Sequence, residues 1–192
     1  MVIVANLEIE NVIVASHLGK DIELIKLATE LPNARYSSSG NPSVIIELDR
    51  TNPKFIGHKR LKAAGVLFGN GKVLVTGIAS LQEGKEIISK LKDSIRNVDP
   101  KISTKRATKI ENMVTRMSFG KKLDLQLISN AIPGSEYDQL RFQGLIIRVD
   151  NPLASFILFE SGVAVITDVV SEAKAKKAFS ELKNLIETSI LT

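Results

Sequence analysis

Cysteine and tryptophan are both missing from these 192 residues, and histidine and tyrosine occur only twice each. Without cysteine there is no disulfide framework and no thiolate zinc site. His17 and His58 alone are too few for a His-rich metal site. No apolar run approaches the roughly 18 residues that a membrane-crossing helix requires. None follows a basic start in the manner of a signal peptide. A Walker-type phosphate loop is also lacking: Gly69-Asn70-Gly71 lies between two apolar runs and reads as a hairpin turn. No nucleophile–base pair, metal cluster or carboxylate pair stands out, so the expectation is a non-enzyme without cofactor or metal. What remains is a chain with 44% hydrophobic residues, enough for a core, and 26 Lys+Arg against 21 Asp+Glu, a net charge of +5. That describes a soluble, mildly basic intracellular protein, and a charge of this size barely favours nucleic acid as a partner.

Self-similarity organises the rest. Ile9-Glu10-Asn11-Val12 returns as Ile110-Glu111-Asn112-Met113, and Gly19, Leu24, Pro32 and Tyr36 return as Gly120, Leu125, Pro133 and Tyr137. The offset is 101 throughout, and Val44-Ile45-Ile46 meets Leu145-Ile146-Ile147 at the same spacing. It then drops to 91: Leu67-Phe68 meets Leu158-Phe159, Gly71 meets Gly162, Thr76 meets Thr167, and Ile95 meets Ile186. The first copy therefore carries ten extra residues between Leu48 and Leu67. We read residues 1–97 as the first repeat, with a basic insertion within 49–66, residues 98–104 as a linker, and 105–192 as the second repeat.

Each repeat has the same order of elements. Residues 6–15 alternate as a strand, and 21–31 carry apolar residues at helical spacing until Pro32. Strand runs follow near 43–49, 63–68 and 72–78. Ser80 with Glu83 forms a capping box that starts the longest helix. Copy two ends in the equivalent helix, from about Ser171 to Ile190. Strand, helix, several strands and helix, twice over, is α+β with an antiparallel sheet.

Helices can cover one face of such a sheet, yet the other face is apolar too. Ile13, Ile45, Val66, Leu74, Val114, Ile146, Ile157 and Val165 all fall on it by alternation. Either both faces are core, as in a sandwich, or the second face is a binding surface. Polar residues favour the surface. Asn11 and Asn112 occupy equivalent central positions, as do Thr76 and Thr167. Two amides and two hydroxyls in pseudo-twofold array suit the minor groove of A·T-rich DNA, which offers acceptors on both strands and lacks the guanine amino group. Phe142 and Phe159 meet as one aromatic wedge, and Phe68 is the first-copy counterpart.

These runs together resemble the TATA-box-binding protein family, in its archaeal-type core form. The resemblance covers roughly Leu7 to Leu185. It rests on the order and duplication of Ile9-Glu10-Asn11-Val12-Ile13, Asn33-Ala34-Arg35-Tyr36 and Leu67 through Gly77. In copy two it rests on Ile110 through Val114, Phe142 through Arg148 and Leu158 through Gly162. It implies a pseudo-twofold duplicated saddle, a curved antiparallel sheet with helices on the convex face. It implies a transcription initiation factor that binds and bends A·T-rich promoter DNA through the minor groove and recruits the transcription machinery. By position, Phe142 with Phe159, and Phe68, would wedge between bases. Asn11, Asn112, Thr76 and Thr167 would contact central bases. Ile13, Leu74, Val114 and Val165 would press on the groove floor. Lys72 and Arg148 would meet phosphates, and Arg116, which by alternation shares a face with Asn112 and Val114, adds a further cation. A B-type general transcription factor, through the loop Tyr137 to Arg141, and RNA polymerase are the implied protein partners. The implied location is the cytoplasm, on the nucleoid, for an archaeal protein and the nucleus for a eukaryotic one.

Several positions depart from the family pattern. Asn41 stands where the first wedge would have its second Phe, and Glu47 stands where copy two has Arg148. Val163 replaces a lysine, Asp168 replaces a glycine, and Glu10 and Glu111 stand where glutamine is usual. Fewer phosphate contacts imply a shallower salt dependence. The alternative reading is a divergent paralogue with weak or lost DNA binding that serves as a protein-interaction scaffold or regulator. A third and weaker option gives the duplicated fold an unrelated regulatory or nuclease-associated role.

Overall fold

The computed structural model describes residues 6–50, 62–103 and 106–191. The first half contains β1 (Glu8–His17), α1 (Leu24–Glu30), β2 (Ala34–Ser37), β3 (Ser43–Asp49), β4 (Lys62–Phe68), β5 (Lys72–Ile78) and α2 (Leu81–Val98). The second contains β6 (Lys109–Ser118), α3 (Leu125–Ala131), β7 (Leu145–Asp150), β8 (Leu153–Leu158), β9 (Val163–Val169) and α4 (Glu172–Leu191). The chain divides into two compact units, one from Asn11 to Glu111 and the other from Asn112 onward together with the chain through Glu10. These boundaries fall on the paired asparagines and not at residues 98–104, where the sequence repeats meet.

In the first unit the strands lie in the order β2-β3-β4-β5-β1, antiparallel throughout. In the second the order is β6-β9-β8-β7, again antiparallel. The alternation read from the sequence is realised: along β5, Val73, Val75 and Ile78 are buried while Lys72, Leu74 and Thr76 are half-buried. The buried face of the first unit meets Ile87, Ile88, Leu91 and Ile95 of α2, and that of the second meets Ala175, Ala178, Leu182 and Ile186 of α4. The sequence missed β2, a four-residue edge strand after Asn33. Its counterpart in copy two is reduced to one bridge between Glu136 and Ile146.

Ser80 caps α2, its Oγ accepting from the Glu83 amide at 3.1 Å. The Glu83 carboxylate does not return to Ser80. It takes a two-point hydrogen bond from Arg50 (2.8 and 3.0 Å) and one from the Ala79 amide (2.8 Å). Both side chains of this pair are buried, so each charge depends on the other. The pair anchors the chain where the insertion begins. Twelve residues separate Asp49 from its partner Lys62, where two separate Asp150 from its partner Leu153. The ten-residue excess thus lies beyond Asp49, at the end of the β3–β4 ladder away from Phe68, as expected. Lys54, Phe55, His58, Lys59 and Arg60 of the insertion lie outside the described residues. No helix among the described residues is long and apolar enough to cross a membrane.

Candidate nucleic-acid interface

The sheet face turned away from the helices carries every apolar residue assigned to it from the sequence. Ile45, Val66 and Leu74 form one cross-strand row in the first unit, with Ile13 beside them on β1. Ile146, Ile157 and Val165 form the matching row in the second, with Val114 on β6. All eight are half-buried, whereas their inward-facing neighbours are closed to solvent. A sandwich would bury both faces alike; here only one face of each sheet is core.

The paired asparagines sit against a bulge in the neighbouring strand. β1 pairs Val12 with Ile78 and Val14 with Val75, so Thr76 and Gly77 together oppose Ile13. Gly77 takes the left-handed conformation that this bulge requires (φ 80°). Asn11 stabilises it: Oδ1 accepts from the Gly77 amide at 2.8 Å, and Nδ2 donates to Thr76 Oγ1 at 2.9 Å. Copy two repeats the arrangement. Asn112 Oδ1 accepts from the Asp168 amide at 3.0 Å, and Nδ2 donates to Thr167 Oγ1 at 3.0 Å. Asp168 holds the same left-handed backbone (φ 64°) without being glycine, which an aspartate tolerates at a cost. Its Oδ2 accepts from Ser155 Oγ at 2.6 Å. In each copy the amide oxygen is thus committed to the fold and one Nδ2 hydrogen stays available as a donor; the Thr167 hydroxyl also reaches Asn112 Oδ1 at 3.4 Å and turns from it only to meet a ligand. This array of donors set in an apolar field can serve acceptors on a ligand and would repel donors.

Phe142 and Phe159 meet edge to face with ring centroids 6.2 Å apart. Phe142 stands 44% exposed. A Cβ at Gly144 would lie 2.5 Å from Phe142 Cε1 and 2.7 Å from Ile157 Cγ2, so only glycine leaves room for this ring. Phe68 is half-buried at the end of β4, opposite Ser43, and Asn41 is exposed nearby in the chain. Phe156 is fully buried and Phe179 nearly so, with the half-buried Phe119 tilted against Phe179 at 4.8 Å, whereas Tyr36 is exposed. His17 closes a turn, its Nδ1 accepting from the Gly19 amide at 2.8 Å.

Each cation assigned to the face is held by a carboxylate that the sequence reading did not connect to it. Lys72 donates to Glu111 at 2.7 Å and holds that carboxyl below its ordinary range. Arg116 donates to Glu8 and lies 3.3 Å from Glu10, and these carboxylates push its guanidinium pKa still higher. Arg148 donates to Glu136. Glu47, at the register position of Arg148, takes Lys62 at 3.1 Å. Glu111 and Glu136 carried no local signal, because their partners lie 39 and 12 residues away along the chain. All these side chains are at least partly exposed, so each pair is weak and exchangeable. Among the described residues no group of three or more His, Asp or Glu could hold a metal ion.

Comparison with known proteins gives a consistent result. The family described as "Transcription factor TFIID (or TATA-binding protein, TBP)" matches residues 6–98 and again 107–188. The chain is 32% identical to the TATA-box-binding protein of Methanothermobacter thermautotrophicus over 178 residues, covering 93% of each. It is 30% identical to that of Pyrococcus furiosus over 176 residues, covering 92% of this chain and 87% of the relative. The solved structure of Methanococcus jannaschii TBP is similar with a TM-score of 0.79 at 30% identity, covering 95% of this chain and 99% of the other.

Proposed function

We propose, because the chain belongs to the TATA-box-binding protein family, that it is a general transcription initiation factor that binds A·T-rich promoter DNA in the minor groove, bends it and recruits the transcription machinery. The observation that carries this reading is the duplicated asparagine–threonine pair, locked to its bulge and set in an apolar face. The amide hydrogens left on Asn11 and Asn112 and the rotatable hydroxyls of Thr76 and Thr167 match adenine N3 and thymine O2. The guanine amino group, itself a donor, would be set against the remaining amide hydrogens of Asn11 and Asn112. The repeats 1–97 and 105–192, joined through 98–104, each bring half of the recognition surface.

The rows of Ile45, Val66 and Leu74 and of Ile146, Ile157 and Val165 shed water onto a widened groove floor, together with Ile13 and Val114. Minor-groove proteins, this family among them, insert apolar side chains between base steps at a cost of a few kcal/mol. Phe142 with Phe159, and Phe68, supply those side chains. Lys72, Arg116 and Arg148 move from their carboxylates to phosphates, a near-exchange of partners that keeps the salt dependence shallow. The loop Tyr137 to Arg141, with Leu140 fully exposed at its tip, is offered to a B-type factor, which brings RNA polymerase. The working place is the cytoplasm of an archaeal-type cell, on its DNA. The scaffold reading is not favoured, since the wedge and both asparagine–threonine pairs are intact.

The test is electrophoretic mobility on an A·T box against the same box with two central pairs changed to G·C. Each changed pair should cost about 1–3 kcal/mol. Asn11→Ala with Asn112→Ala should narrow the gap between the two duplexes. Equal binding to both duplexes by the unchanged protein would contradict the proposal.

A further inference from the structure

We propose that this chain sets its own orientation on DNA, kinking the duplex firmly at the end held by its second half and weakly at the other. The inference rests on the minor-groove reading above and concerns its polarity.

The duplication supplies an internal control. At the offsets of 101 and 91, Phe142 corresponds to Asn41, Gly144 to Ser43, and Phe159 to Phe68. The second half presents two rings in contact, with Phe142 seated over Gly144 and Ile157. Its loop is tied down by Arg141 and Phe142 amides donating to the Asp138 carbonyl at 3.0 and 2.9 Å, and by the Leu140 amide donating to Asp138 Oδ1 at 3.1 Å. That wedge is organised before DNA arrives. The first half presents Phe68 alone, because Asn41 has no ring and a hydrated amide gains nothing between bases. One ring buries about half the apolar area of two against the same unstacking cost.

Charge reinforces the difference. Glu47 and Arg148 share a register position, one opposite Ala64 and the other opposite Ser155. Where one half has an anion, paired with Lys62, the other has a cation, paired with Glu136, so only the second can exchange its partner for a phosphate at this position. Pyrimidine–purine steps unstack most easily. A protein with one competent wedge gains most by putting it on such a step, so a box with unlike ends is bound in one direction.

The absence of cysteine makes the test direct. Leu140→Cys, at a fully exposed position two residues from Phe142, carries an iron chelate that cleaves adjacent DNA. The duplex has a TA step at one end of its A·T box and an AA step at the other, each reported by 2-aminopurine. Cleavage at the TA end should exceed that at the AA end roughly tenfold, a difference of about 1.4 kcal/mol. Fluorescence should rise at the TA end only. Adding Asn41→Phe, an exposed loop change that leaves the fold alone, should bring cleavage toward equality and raise fluorescence at the second end. A complex that cleaves both ends equally, or an Asn41→Phe variant with an unchanged ratio, overturns the polarity and leaves minor-groove binding standing. Failure to form a complex on any duplex overturns both.

Discussion

Asp168 does the work of a glycine with a charged side chain, and its consequences can be measured. Its left-handed backbone is unfavourable for any residue with a Cβ, and its carboxylate lies on the face assigned to DNA. Asp168→Gly should match Gly77, stabilise the protein by up to about 1 kcal/mol in thermal unfolding, and tighten DNA binding. A loss of stability would mean that the Ser155 hydrogen bond outweighs the strain. The carboxylate partners of the face cations make a second case. Glu111→Gln removes the charge that holds Lys72, leaving the ammonium free for phosphate. The plot of log affinity against log salt should steepen by up to about 0.9, because the phosphate contact of Lys72 is then no longer offset by the ion pair it breaks. An unchanged slope would show that Lys72 does not reach DNA. The asparagines, the threonines and the Phe68–Phe159 match were legible in the sequence because duplication marks them twice, whereas Phe142, whose counterpart is Asn41, was read from its place beside the strand that ends at Phe159. The carboxylates were not, because their pairing depends on register between strands far apart in sequence.

Among the elements, the long helices and hydrophobic strands followed from periodicity, and the Ser80 cap from its motif. Of the short pieces, α1 was legible over 21–31 but not its start, and β2 was not legible at all. α1 begins at Leu24, three residues after the apolar pattern starts, with no side chain capping it. β2 is four residues long and has no alternation long enough to read. α2 also contains a feature that composition hides. Lys92 is only 4% exposed, and its ammonium has Ser16 Oγ at 3.0 Å and the Arg106 carbonyl at 3.4 Å, with no carboxylate among its hydrogen-bond partners. Burial pushes its pKa below the ordinary 10.5. Between that lowered value and 10.5, the unfolded chain holds a proton that the folded chain has released, so stability rises with pH across that window. Below it, both states are charged and folding bears the full cost. Lys92→Met should raise the melting temperature at neutral pH by about 2–4 °C per kcal/mol regained and flatten the rise at alkaline pH. An unchanged alkaline slope would assign that slope to another group.

The whole molecule is two versions of one design, and its function follows from what the versions share and where they differ. Both keep the bulge-locked asparagine–threonine pair and the apolar row. They part at Asn41 against Phe142, at Glu47 against Arg148, and at Gly77 against Asp168. Duplication was the strongest signal in the sequence, because register held across most of two copies at two offsets. The paired faces follow from it, whereas the ion pairs and the left-handed Asp168 needed coordinates. The central claim is that these faces bend A·T-rich DNA. The most direct test is energy transfer between dyes at the ends of a duplex carrying an A·T box, measured with the protein alone and with a B-type factor. Transfer should rise on binding and fall back when Phe142 and Phe159 are both changed to Ala. A duplex that stays straight with the unchanged protein, with the factor present as well as absent, would contradict the account.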